Sequence, residues 1–99
     1  MEKFDKMIEK VLDELSDSIE YAESYISEKM KGNSTKAAKF KDMALNEHIH
    51  AQNWYMWAEE YAAELEKIMP LTVDDVAAWE RCQKIYAEKS AIIKYMLDR

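Results

Sequence analysis

Apolar residues recur every three or four positions along the first third of the chain, and neither glycine nor proline occurs between Glu2 and Lys31. This spacing places apolar side chains on one face of an α-helix. The repeating positions are Phe4, Ile8, Val11, Leu15, Ile19, Ala22, Ile26 and Met30. Gly32 comes next, and glycine is the residue that most often follows the end of a helix. The pattern predicts a helix, α1, over residues 2–31.

A second segment without helix-breaking residues extends from the polar cluster after Gly32 to Pro70. Its N-cap can be Asn33, Ser34 or Thr35, which are residue types that favour that position. The segment predicts a long helix, α2, over residues 34–69. The stripe expected on its inner face contains one charged residue and consists of Phe40, Met43, Ala44, Glu47, Ala51, Trp54, Ala58, Tyr61, Leu65 and Ile68.

The last third of the chain predicts a third helix, α3, over residues 73–98. Thr72 followed by Asp75 is similar to a capping box at the start of a helix. Two short turns between three long helices predict an all-α fold, which is an antiparallel three-helix bundle in up-down-up order. The 99 residues then form a single helical domain, residues 1–99.

Two neighbouring apolar rows follow α3. The first row consists of Ala78, Cys82, Ile85, Ile92 and Met96, and the second of Trp79, Tyr86, Ile93 and Leu97. If one row packs inside the bundle, the other is free for a subunit interface, so we expect a homo-oligomer, at least a dimer, formed through α3 and the aromatic residues of α2. Burial of both rows within one monomer is the alternative. Cys82 is expected to be a buried apolar side chain rather than a reactive thiol.

Composition narrows the function classes. With one Gly, one Pro and one Cys, the chain cannot contain a Gly-rich phosphate loop, a many-stranded sheet or a disulfide scaffold. The 14 Lys and Arg against 20 Asp and Glu give a formal charge of −6, which disfavours nucleic acid as a partner. The chain opens on no signal-peptide pattern and has no apolar run long enough to span a membrane. We therefore expect a cytoplasmic protein with no membrane partner.

One position of the α2 stripe, Glu47, is charged. At 100° per residue it points within about 20° of the mean direction of the stripe, which predicts a buried carboxylate. Burying an unpaired carboxylate is costly, so Glu47 needs a cation, hydrogen-bond donors, a raised pKa or water. His50 lies one turn further along, while His48 points away from the stripe and is expected to be solvated. Glu47 and His50 form a Glu-x-x-His motif, by which helical bundles bind carboxylate-bridged iron or manganese.

The stretch from Phe40 to Ala51 resembles the second bundle helix of the ferritin-like superfamily, and the rubrerythrin-like proteins most closely. In that family an aromatic residue precedes an alanine, and Glu-x-x-His-Ala follows. Tyr21, Ala22 and Tyr25 are similar to the first helix of those proteins. The resemblance implies an iron or manganese site in which Glu47 bridges or chelates and His50 is a terminal ligand. If the chain catalyses a reaction, the resemblance implies metal oxidation or peroxide disposal.

The chain departs from the family pattern in having three helices and one Glu-x-x-His motif, where the complete site uses four helices and two such motifs. Antiparallel pairing across a turn near Asn33 places Glu47 level with about residues 18–22 of α1. Glu23, at the margin of the α1 stripe, is the candidate third ligand. A two-fold dimer could then bring together Glu47, His50 and Glu23 of both chains.

A metal-free interpretation also accounts for Glu47. Pairing across Pro70 places it level with Lys94 on α3, and an ion pair supported by Gln83 or Ser90 would neutralise the carboxylate. In that case the chain is a helical interaction or structural module that self-associates. The acidic middle of α1 is then the candidate surface for a partner.

Overall fold

The computed structural model describes residues 1–99 as three α-helices and no strands. The helices are α1 (Glu2–Met30), α2 (Ser34–Glu66) and α3 (Val73–Leu97). They pack lengthwise into a body of 55 × 18 × 17 Å, so the molecule is about as long as α2 alone, at 1.5 Å per residue. The predicted all-α three-helix bundle is confirmed.

The residues that the sequence predicts to end or begin helices do so at the predicted positions, with one exception. Gly32 adopts a left-handed φ of 83°, and Asn33 N donates to Glu28 O at 2.9 Å to close the end of α1. At the start of α3, the Thr72 side chain accepts a hydrogen bond from Asp75 N at 3.1 Å.

The exception is the end of α2, which was predicted at residue 69 and lies at Glu66. Ile68 N and Met69 N both donate to Leu65 O, at 2.9 Å each, in a tight turn. Pro70 keeps Met69 out of the helix, because the residue before a proline avoids helical backbone angles, and the tight turn begins directly after Glu66. Ile68, a predicted member of the inner stripe, is consequently 79% exposed.

The core combines large side chains on α1 with alanines on α2. The apolar α1 residues in the core are Phe4, Ile8, Val11, Leu15, Ala22 and Tyr25, and those of α2 are Ala37, Ala44, Ala51, Ala58 and Ala62. Small residues on α2 let the two helices approach closely enough for Ser18 Oγ to donate to Ala44 O at 2.7 Å. That buried hydrogen bond fixes the register between α1 and α2.

α3 packs more closely on α1 than on α2. Aromatic side chains separate α2 from α3, with Tyr55 stacked on Tyr86 at a centroid distance of 4.0 Å and lying 5.1 Å from Trp79.

Cys82 is 1% exposed as predicted, and burial raises the pKa of its thiol to about 11. None of the three helices is both long enough and apolar enough to cross a lipid bilayer.

The two apolar rows of α3 have different environments. Ile93 and Leu97 of the second row are buried, at 0% and 4% exposure. Ile92 of the first row is 44% exposed, although Cys82 of the same row lies in the core. A subunit interface through α3 stays a prediction.

Candidate metal centre

Three metal-ligating side chains from two helices converge on the surface of the α1–α2 pair. They are Glu14 on α1 and Glu47 and His50 on α2, and one ligand atom of each lies within 4.8 Å of the others. His50 Nδ1 is 3.6 Å from both Glu14 Oε2 and Glu47 Oε1. The carboxylate side chains are 21% and 22% exposed and the imidazole 53%. Two half-buried carboxylates thus flank one accessible imidazole nitrogen.

Helix geometry explains the convergence. Glu47 and His50 are three residues apart on α2, so their side chains are neighbours on one face. Glu14 lies one turn before Ser18 on α1, and the hydrogen bond from Ser18 to Ala44 fixes which turns of the two helices face each other. The register therefore places Glu14 next to the Glu-x-x-His motif.

The prediction that Glu47 lies at the centre of the inner face is wrong, and so is the prediction of a solvated His48. The buried residues in this part of α2 are Ala44, His48 and Ala51, at 0%, 6% and 0% exposure. Large apolar residues dominate the sequence pattern, yet Met43 is 39% exposed. Because α1 packs closely on α2, alanines occupy the centre of the buried face of α2. That centre lies nearer to His48 than the sequence pattern predicted, and Glu47 lies at the edge of the buried face.

His48 lies between α2 and α3. Its Nε2 is 3.0 Å from Ser90 Oγ. Burial lowers the pKa of His48, and the nearby positive charge of Lys94 lowers it further, so the neutral imidazole is favoured.

The third residue of the cluster is Glu14, where the sequence predicted Glu23. Glu23 is exposed and does not join the cluster. Ser18 and Ala44 face each other, and the same number of residues separates each of them from Lys31 in the sequence. The turn is therefore centred on Lys31, two residues before the centre at Asn33 that the prediction assumed. A shift of the centre by two residues moves the facing position on α1 by about four, which is one helical turn. The acidic run in the middle of α1 was the sequence signal that pointed to Glu14.

The predicted ion pair between Glu47 and Lys94 does not form. Glu47 faces α1 and its nearest charged neighbours are Glu14 and His50. Lys94 is exposed and lies on the α3 side, where it acts on His48 instead. The α2 side chain that contacts α3 at this level is His48.

The two carboxyl groups perturb each other. The pKa of Glu47 is raised to about 7, first because its protonated carboxyl can hydrogen-bond to the adjacent Glu14, then because of burial and the negative charge of Glu14. His50 acts in the opposite direction. Glu14 Oε2 is itself buried and accepts no hydrogen bond. A proton or a cation between the carboxylates relieves their repulsion.

We expect metal-free Glu47→Gln protein to be more stable than wild type above pH 7. A carboxyl whose pKa is higher in the folded chain stabilises the fold below its ordinary value of 4.5, and that contribution is lost as the pH rises through about 7. Glutamine cannot ionise, so the variant gains about 1 to 2 kcal/mol at alkaline pH, after allowance for solvent screening.

Urea unfolding in EDTA at a series of pH values measures this difference. Glu23→Gln is the matched control, and its stability should follow the wild-type pH profile. Parallel profiles for wild type and Glu47→Gln from pH 4.5 to 7 would show that the two carboxyl groups do not interact.

Comparisons of the chain with models of protein families, with curated proteins and with solved structures give no significant match.

Proposed function

We propose that this protein binds a divalent transition-metal ion, iron or manganese, at Glu14, Glu47 and His50, as a reduced ferritin-like protein. The observation that carries the proposal is the convergence of two half-buried carboxylates and one imidazole from two helices within 4.8 Å. Helical bundles build such centres from inward carboxylates and a Glu-x-x-His motif, whereas this cluster uses the same residue types at the edge of the α1–α2 pair. The resemblance of residues 40–51 to the ferritin-like superfamily supports the same ligand type.

The charges of the site favour a cation. Two carboxylates that share a proton near neutral pH exchange it for a metal ion, because the ion neutralises both at once. The buried Glu14 Oε2, which accepts no hydrogen bond, gains a partner in the same step. A ligand set of two oxygens and one nitrogen suits iron and manganese better than a soft, thiolate-binding metal.

Three protein ligands leave coordination positions for water or for a small oxidant. Bound iron or manganese supplies redox chemistry, and metal oxidation or peroxide disposal is the reaction class that the ferritin-like resemblance implies. The chain itself contributes the two carboxylates that hold charge and the imidazole that completes the protein ligands. His50 is the most exposed of the three side chains, so solvent would reach a bound ion from its side of the cluster.

Metal analysis of protein purified without chelator tests this proposal. Wild-type protein reconstituted with Fe(II) or Mn(II) under anaerobic conditions should retain near-stoichiometric metal after gel filtration, and Glu47→Ala should not. Glu23→Ala removes an exposed carboxylate of α1 that lies outside the cluster, and this variant should retain the wild-type amount. Sub-stoichiometric metal in both wild type and Glu47→Ala would rule the function out.

A second candidate is a metal-free helical interaction module. Leu45, Ile49 and Met56 support it, because they are 41%, 50% and 46% exposed and their spacing of four and seven residues gives α2 an outer apolar stripe. In this alternative the proton shared by Glu14 and Glu47 is sufficient to satisfy the pair. The interaction-module alternative requires that the reconstituted wild-type protein retain no metal, so the metal analysis described above separates the two functions.

A further inference from the structure

The outer face of α2 carries exposed residues at intervals of seven. They are Lys36, Met43, His50, Trp57 and Glu64. Residues seven apart on a helix are offset by only about 20°, so the five side chains follow one side of α2 and turn by about 80° from the first to the last. The line points away from α3, because His50 lies about 160° around α2 from His48, which contacts Ser90. Nothing in the monomer covers this line.

The line has opposite charges at its two ends and is otherwise symmetric about His50. Lys36 and Glu64 lie fourteen residues before and after it, and Met43 and Trp57 lie seven before and after it. Met43 and Trp57 are 39% and 42% exposed, which is high for such large apolar side chains. A two-fold rotation centred on His50 therefore places the lysine of one copy opposite the glutamate of the other, and the methionine of one copy opposite the tryptophan of the other.

The neighbouring face of α1 repeats this pattern. Glu14 lies level with His50, since the two side chains contact each other across the helices. Lys10 precedes Glu14 by one turn and Asp17 follows it by one turn, and both are exposed. The rotation that reverses α2 about His50 also superposes Lys10 on Asp17. Charge and apolar patterns on two helices thus share one centre.

We propose that this face of α1 and α2 binds a second copy of the chain, with α1 antiparallel to α1 and α2 antiparallel to α2 of the partner. Met43 packs on Trp57 of the partner subunit, and Lys36 and Lys10 lie opposite Glu64 and Asp17 of the partner subunit. The apolar pairs supply most of the affinity, and the charged pairs select the antiparallel orientation. None of these pairs includes a metal ligand, although the rotation brings the two Glu14, Glu47 and His50 clusters, with their like-charged carboxylates, to the same axis.

Sedimentation equilibrium in EDTA, from low micromolar to near-millimolar protein, tests the interface independently of the metal site. Wild type should dimerise, and Trp57→Ala should weaken the dimer by about tenfold, as expected for an aromatic anchor near the centre of an interface. Tyr95→Ala, which truncates a 66% exposed aromatic on α3, is the control and should leave the dimer unchanged. Circular dichroism verifies that each variant is helical. A monomeric wild type, or a dimer that depends on Tyr95 and not on Trp57, overturns the proposal.

A charge exchange tests the orientation. Lys36→Glu should weaken the dimer several-fold, because it places like charges opposite each other at both ends of the line. The double variant Lys36→Glu/Glu64→Lys should restore wild-type affinity, because each new charge meets its opposite on the partner subunit. Lys84→Glu, on α3, is the control for net charge and should have no effect. Failure of the double variant to recover would contradict the antiparallel pairing of α2.

Discussion

Replacing Glu14 with glutamine is expected to weaken Mn(II) binding by at least about a hundredfold. Loss of a residue that only supports a ligand typically costs 10–100-fold in metal affinity, and Glu14 supplies a ligand atom directly. Its carboxylate is also the main source of the raised pKa of Glu47, so the variant loses both a ligand and the charge that attracts the ion. Isothermal titration at pH 7.5 with anaerobic, metal-free protein measures the change.

The comparison variant is Glu23→Gln, which should bind Mn(II) with wild-type affinity. Glu23 occupies the same helix and is exposed, so both substitutions remove one negative charge from α1. If the two variants lose affinity equally, a general electrostatic effect of the acidic helix accounts for binding and the cluster does not. If only Glu23→Gln loses affinity, the register between α1 and α2 is different in solution.

Replacing Phe4 with alanine is expected to lower the free energy of unfolding by about 3 to 5 kcal/mol, the range for truncating a buried Phe. Phe4 is 0% exposed and joins all three helices, because its ring lies 6.4 Å from that of Tyr61 on α2 and 5.7 Å from that of Trp79 on α3. Alanine leaves a cavity at this junction. Since domains of this size are stable by roughly 5 to 15 kcal/mol, this loss is a large fraction of the total and should move the unfolding midpoint to a clearly lower denaturant concentration.

Guanidinium unfolding followed by circular dichroism, at one fixed protein concentration, measures the loss. Tyr95→Ala is the matched surface variant and should change stability by no more than about 0.5 kcal/mol. A loss below about 1 kcal/mol for Phe4→Ala would mean that α3 does not close over this end of the α1–α2 pair.

The architecture was predictable from the sequence because helix length and turn chemistry are local properties. Gly32 and the Thr72 cap each act on neighbouring backbone groups, and the period of the α1 residues needs no knowledge of the partner helix. Pro70 was recognised as a break, but its effect on the preceding residues shortened α2 by three positions. Local signals thus gave all three helices and most of their ends.

The site was only half predictable because it depends on how two helices meet. Glu47 and His50 belong to one helix, so their proximity follows from spacing alone. The identity of the third ligand depends on the register, which the hydrogen bond from Ser18 to Ala44 fixes across 26 residues of chain. A shift of one turn moves the α1 residues level with Glu47 from about 18–22 to about 14–18, a range that includes Glu14 and lies further from Glu23. The buried position of His48 was missed because alanines, which contribute little to a hydrophobic pattern, define the packed face.

Anomalous diffraction from crystals grown with Mn(II) locates a bound ion directly. We expect a manganese peak in coordinating contact with Glu14, Glu47 and His50, with no peak of comparable height elsewhere on the chain. Crystals of Glu14→Gln grown in the same solution should lack that peak. A wild-type structure at full Mn(II) concentration with Glu14 and Glu47 joined only by a proton, and no manganese between them, would contradict that expectation.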